Sequence, residues 1–195
     1  MFHLQLSQTE KITLMLAFFM SSLTSYGQVS VDTVAIKTEL DAILIRDQKT
    51  RRHGDSTAYM PFIDSCNLAQ VERIVATYGW PGISFVGRKG NQTVFLVIQH
   101  ADLPVQEKYF PLLKKSVEAG ESLAADLALL EDRILMRQGK KQRYGSQIIM
   151  NDKGGQEFYP IEDEINVNQR RFRVGLDPIE VYALYFGIYY EPPGK

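Results

Sequence analysis

Apolar side chains recur at helical spacing along most of this chain. Ile36, Leu40, Ile43 and Leu44 share one stripe of a segment from Val34 to Arg52, which predicts a first helix. Lys49-Thr50-Arg51-Arg52-His53 supplies the cations that a helix C-terminus favours, and Gly54 stops it. This basic run reads as a capped, solvated end before it reads as a ligand site. Asp64 or Ser65 caps a second helix through Tyr78, with Val71, Ile74 and Val75 facing inward, and Gly79-Trp80-Pro81-Gly82 breaks it. Trp80, between a glycine and a proline, reads as a core plug locking that turn; beside a cleft it would instead be a stacking platform.

Ile83 to Val86 reads as a short extended piece and Arg88 to Asn91 as a turn. Val94-Phe95-Leu96-Val97-Ile98 is apolar throughout, so periodicity cannot separate a central strand from a buried helix. Its β-branching favours strand, while the polar Gln99-His100-Ala101-Asp102 that follows and the helical neighbourhood favour a helix from near Asn91. Pro104 opens the next helix, to Ala119, with Tyr109, Leu112, Leu113 and Val117 as apolar contacts. After Gly120, Ser122 caps a helix to about Gln138, ended by Gly139. A hairpin follows, Ser146 to Met150 and Glu157 to Ile161, joined by Asn151-Asp152-Lys153-Gly154-Gly155. Two short helices, Asn166 to Val174 and Ile179 to about Tyr189, finish the chain. The expected class is mainly α: one compact multi-helix domain with a small β-hairpin, α+β being the alternative.

The first 27 residues suggest a compartment. Ile12 to Leu23 is uncharged and apolar, too short for the roughly 20 residues that span a bilayer but suited to the core of a signal peptide. Ser25-Tyr26-Gly27 places small residues for a cut before Gln28. The flank is weak, because Glu10 and Lys11 cancel, and a buried N-terminal helix is the competing reading. No cysteine closely follows the run, so a lipid anchor is not expected. The expectation is a periplasmic or secreted protein, cleaved near Gly27/Gln28, with residues 28–195 as a single globular domain. Its net charge is −1. That argues against nucleic acid or an anionic membrane as the main partner, since both need a basic surface. Cys66 is the one cysteine, so no intramolecular disulfide can form; it reads as an apolar filler.

Asp132 is the residue whose polarity most needs an explanation. On the helix from Ser122, Leu123, Leu127, Leu130 and Ile134 share a face, and Asp132 lies opposite, among Ala128, Leu129, Leu135 and Met136. A helix apolar on both sides is buried on both sides, so Asp132 should be enclosed, and then paired, hydrogen-bonded or protonated. Arg133 and Arg137 project near the edge of the first stripe and are poor partners. That leaves His100, Arg143, Tyr144 or the amides of Gln142 and Gln147, in a structural pair or a functional one.

His100-Ala101-Asp102 has the look of an imidazole oriented by a carboxylate. In a helix, residues two apart point about 200° away from each other, which weakens that reading. No metal is expected, because no His-x-x-x-His, Cys-x-x-Cys or calcium-loop spacing occurs. No cofactor is expected either: phosphate-loop, dinucleotide and nucleophile-elbow motifs are all missing. Glu162-Asp163-Glu164 reads as a solvated turn that Arg170, Arg171 and Arg173 answer.

With these residues assembled, the chain resembles a bacterial family, the domain of unknown function numbered 6624. The strings that carry it are Tyr78-Gly79-Trp80-Pro81, Gln99-His100-Ala101-Asp102 with Gln106, Tyr109-Phe110-Pro111-Leu112-Leu113 and Leu130-Glu131-Asp132-Arg133. Gly139 to Gln147 and Tyr159-Pro160-Ile161-Glu162-Asp163 add to them. The resemblance covers Ile36 to Leu184, with Ser146 standing where threonine is expected. It implies a single domain and no particular reaction. Its recurring polar residues map onto Gln99, His100, Asp102, Gln106, Asp132, Arg133, Gln142, Tyr144 and Gln147.

Two functions fit. The first is a binding module whose polar Gln/His/Asp/Arg/Tyr site takes a peptide, glycan or small polar ligand, or a protein partner. The second is an exported hydrolase-like enzyme. There His100 would be the general base, Asp132 or Asp102 would orient it, and Arg133 or Tyr144 would steady an anionic intermediate. Amide-rich, weakly charged sites suit recognition better than bond breaking, so the binding module is preferred.

Overall fold

The computed structural model describes residues 33–49, 51, 60–191 and 193. The expected leader, Met1 to Gly27, lies outside the described residues, as do Arg52, His53 and Gly54 at the expected end of the first helix. The architecture is mainly helical with one small antiparallel hairpin, as the apolar pattern predicts.

Helix α1 (33–49) buries Ile36, Leu40 and Ile43, and the same stripe continues to Asp47, which is only 2 % exposed. Helix α2 (Met60–Tyr78) starts a turn earlier than expected, so Asp64 and Ser65 lie inside it rather than capping it. Pro61, in its first turn, has a preset φ that suits a helix start.

Helix α3 (Ile83–His100) corrects two expectations. Ile83 to Val86 is helical rather than extended, and Arg88 to Asn91 continues the helix after a break at Gly87 (φ 76°, ψ 166°). That backbone conformation suits glycine because a Cβ would be strained there. Val94, Phe95, Val97 and Ile98 are all buried, so this helix is packed on most sides and its sequence carries no clean period.

Asp102 caps α4 (Leu103–Glu118), its carboxylate accepting from the Val105 N–H at 3.2 Å. Helix α5 (Ala124–Arg137) does not use Ser122 as its cap. Leu123 holds that position without a side-chain bond, and the Ser122 hydroxyl turns inward to Trp80, Asn91 and Ser116.

Strands β1 (Ile148–Met150) and β2 (Gln156–Phe158) pair antiparallel, Ile149 opposite Glu157, and are shorter than expected. A 3₁₀ turn (Glu164–Asn166) leads into α6 (Val167–Arg173), and α7 (Ile179–Leu184) stops before Tyr185. Helices α1 to α5 enclose the main core around Leu40, Ile43, Ile74, Val94, Ile98, Leu113 and Leu130. A second, smaller core gathers Ile161, Val167 and Ile179 under Phe158 and Tyr190. No helix among the described residues is long and apolar enough to cross a membrane.

Candidate functional site

Asp132 is fully buried on α5, as its two-sided apolar surroundings predict. Its partners are backbone amides. Oδ1 accepts from the N–H groups of Arg143 (2.7 Å) and Tyr144 (3.0 Å), and Oδ2 from Ser146 (3.0 Å). Burial pushes the carboxyl up, the amides of Tyr144, Arg143 and Ser146 pull it back, and the net direction is upward. Asp132 therefore ties the loop after α5 to the helical core.

The same loop consumes the glutamines. The Gln142 amide donates to the carbonyls of Gln147 (2.9 Å) and Tyr159 (2.7 Å), while its oxygen accepts from the Gln147 N–H (2.7 Å). The Gln147 amide donates to the Ser146 hydroxyl at 2.9 Å. Gly145 permits the turn: its φ is 68°, and a Cβ there would lie 2.5 Å from the Ile179 side chain. Arg171, only 1 % exposed, closes the loop from the other side by donating to the Tyr144 carbonyl at 2.7 Å, and Tyr182 donates its hydroxyl to the Ser146 carbonyl at 3.1 Å.

A different constellation forms where the C-terminal ends of α1, α3 and α5 meet. His100 Nδ1 stands 3.2 Å from Oδ1 of Asp47. Arg51 reaches the same Asp47 oxygen at 3.2 Å and Asp64 at 2.8 Å. Burial pushes the Asp47 carboxyl up, but hydrogen bonds and charge from His100 and Arg51 outweigh it, and the net direction is downward. Asp47 is therefore an ionised, buried anchor, while His100 remains 17 % exposed. Arg137 donates to the Ala101 carbonyl, joining the end of α5 to the α3–α4 corner.

Arg133, one turn earlier on α5, is the exception in this cluster. It is half-buried, its Nε is enclosed, and that Nε has no hydrogen-bond partner among the described residues. Burial pushes its guanidinium down, and the charges of Arg137 and Arg51 press the same way, with only Tyr182 opposing. Cations at helix C-termini explain Arg51 and Arg137 without a ligand. They do not explain an enclosed guanidinium Nε with no ion-pair partner among the described residues, because desolvating part of an unpaired charge is costly.

The structure thus divides the residues singled out from the sequence. Asp102 caps α4. Gln106 is fully buried and donates to the Gln99 carbonyl at 2.7 Å. Asp132, Gln142 and Gln147 are buried and bonded within the chain. Tyr144 is half-buried with the Arg143 guanidinium 5.8 Å over its ring, and Arg143 pairs with Glu131 at 2.8 Å. Buried polar atoms without a partner among the described residues remain on Gln99 and Gln106, at their side-chain oxygens, and on Arg133, at Nε, while His100 is partly exposed. The carboxylate that pairs with His100 is Asp47 rather than Asp102 or Asp132, and Arg51, Asp64 and Arg137 complete the cluster. Sequence reasoning passed over Asp47, yet a signal was present: it extends the spacing of Leu40 and Ile43, an acid on a core stripe. Among the described residues no group of His, Cys, Asp and Glu gathers that could hold a metal ion.

The chain is mainly helical, with its polar residues split between a loop anchor and a cationic cluster. Residues 32–190 match a family of unknown function (DUF6624), and the chain belongs to that family. No curated protein and no solved structure matches it.

Proposed function

We propose that this is an exported binding module whose site is the cluster of Arg133, Arg137, Arg51, His100 and Gln99, and whose ligand presents an anionic group. The ligand classes are a peptide, a glycan or a small polar molecule bearing a carboxylate or phosphate. One observation carries this reading: the enclosed Arg133 Nε has no acceptor among the described residues and sits amid like charge. A planar guanidinium presents a rigid fork of donors that matches carboxylate and phosphate, and these bonds are among the strong ones. Export rests on the leader-like pattern of Met1 to Gly27.

The test is thermal melting in inorganic phosphate, acetate and an N-acetylated dipeptide, with the dipeptide amide as neutral control. At least one anion should raise the melting temperature saturably in the wild-type protein and not in Arg133→Met. Equal shifts in both proteins would remove Arg133 from the site and this reading with it.

A second reading has its own observation. The Asp47 carboxylate faces Nδ1 of His100, an arrangement that orients the other ring nitrogen, Nε2, as a general base. A hydrolase-like activity would use that nitrogen to activate water, with Arg133 steadying the anionic intermediate. Turnover of a chromogenic ester or phosphoester, lost in His100→Gln but retained in Asp102→Asn, would favour it over simple binding.

A further inference from the structure

At the end of α3 opposite His100, an open groove of about 380 Å³ lies between the start of α3 and the end of α4. That volume is at the small end of ligand sites, which run about 300–1,000 Å³. Trp80, Leu112 and Ala119 give it an apolar wall, and Gly82, Lys115 and Glu121 line it too.

The indole is held in place from behind. Its Nε1–H donates to the Ser122 hydroxyl at 3.1 Å. Ser122 is buried and also meets Asn91 Nδ2 and the Ser116 hydroxyl, each at 2.8 Å, while Asn91 donates to the Pro81 carbonyl at 2.9 Å. With its one polar atom tied inward, the half-buried Trp80 offers the groove a pinned ring of carbon.

The polar groups beside it are a complementary pair. The Glu121 carboxylate accepts from the Ser84 N–H at 2.8 Å, which fixes it at the groove and holds its carboxyl below the usual range. Gly82 makes room for it, because a Cβ there would lie 2.5 Å from that carboxylate oxygen. Lys115 is exposed and forms no ion pair with any described residue. The groove therefore sets a fixed acceptor and a free donor around an aromatic plate.

We infer that this groove is a carbohydrate subsite that seats a neutral pyranose ring on Trp80. Such a ring has an apolar C–H face for the indole and a rim of hydroxyls that both donate and accept. Glu121 takes the donors and Lys115 the acceptors. An apolar peptide would leave both charged groups partly desolvated and unpaired, which disfavours it. The inference does not rest on the anion site, and either can fail alone.

Trp80 is the chain's one tryptophan, so intrinsic emission reads this groove directly. The full chain is titrated with cellotriose, chitotriose, maltotriose and xylotriose. At least one should change the emission saturably, and Lys115→Ala and Glu121→Gln should each weaken that binding about tenfold or more, the size of one lost hydrogen bond to a charged group. Glu121→Gln keeps an acceptor for the Ser84 N–H, and Lys115 is exposed, so melting temperatures should stay near wild type. Arg133→Met should leave the sugar response unchanged. No saturable change with any of the four, or binding that both groove variants retain at full strength, overturns the proposal. So does a response confined to an apolar peptide probe.

Discussion

His100 and Asp47, 53 positions apart, meet through Nδ1 and Oδ1 at 3.2 Å, and Asp47 meets Arg51 through the same oxygen. Two helix ends are thereby fastened to one buried carboxylate. Asp47→Asn removes the charge while keeping the shape. Arg51 retains Asp64, so the loss is moderate, about 1–3 kcal/mol at pH 7. The folded Asp47 carboxyl lies below its unfolded value. Its contribution is therefore present above the unfolded value, about pH 3.9, and lost as pH falls through the folded one. Urea denaturation of both proteins should show a gap at pH 7 that closes in strong acid. A gap that stays constant with pH would assign the cost to packing.

Asp132 predicts a larger effect of another kind. Asp132→Ala strips the Arg143, Tyr144 and Ser146 amides of their acceptor in a buried place, at about 1–3 kcal/mol each if left unpaired. Asp132→Asn keeps one oxygen but turns an amino group toward N–H donors, so it should be destabilising as well. Hydrogen exchange should accelerate first at Arg143, Tyr144 and Ser146, ahead of global unfolding. Unchanged protection of those three amides in Asp132→Ala would disprove the anchor.

Asp126 gives the opposite pH sign. It is 5 % exposed on the first turn of α5, and its Oδ2 lacks a partner among the described residues. Burial pushes its carboxyl up to about 6, with Arg88 pulling it back only in part. A raised folded value means that stability is full below the unfolded value and lost as pH rises through about 6. Asp126→Asn, which cannot ionise, should be more stable than wild type by about 2–3 kcal/mol at pH 8 and no more stable near pH 4. Paired melts at the two pH values decide it.

Much of the fold was legible because helix punctuation and apolar stripes agree: Gly79, Gly120 and Gly139 each follow a helix where the pattern stops. The burial of Asp132 was legible for the same reason, since apolar neighbours on both sides of one helix leave an acid no route to water. Its partners were not, because the amides of the loop around Tyr144 carry no side-chain signature. His100 was paired with Asp102 or Asp132, while its carboxylate is Asp47 on α1, a residue whose place on a core stripe drew no notice. Ser122 looked like a cap because local spacing cannot see Trp80 and Asn91, which claim its hydroxyl. Val94 to Ile98 defied periodicity because a helix packed on most sides has no polar face to set a period.

Arg133 supplies the sharpest test, because binding and structural roles predict opposite signs. On the binding reading, the half-buried Arg133, whose Nε has no partner among the described residues, costs stability in the free protein. Arg133→Met replaces it with an unbranched apolar chain that fills similar space. Without anions, the variant should therefore melt at or above the wild-type temperature, by up to about 2 kcal/mol, as is common when a group held for function is removed. With a saturating anion the order should reverse, since only the wild-type protein gains RT ln(1 + [L]/Kd). A variant less stable than wild type in anion-free buffer would show that the Arg133 side chain is satisfied within the fold. The cationic cluster would then be a set of helix ends, with no ligand left to explain.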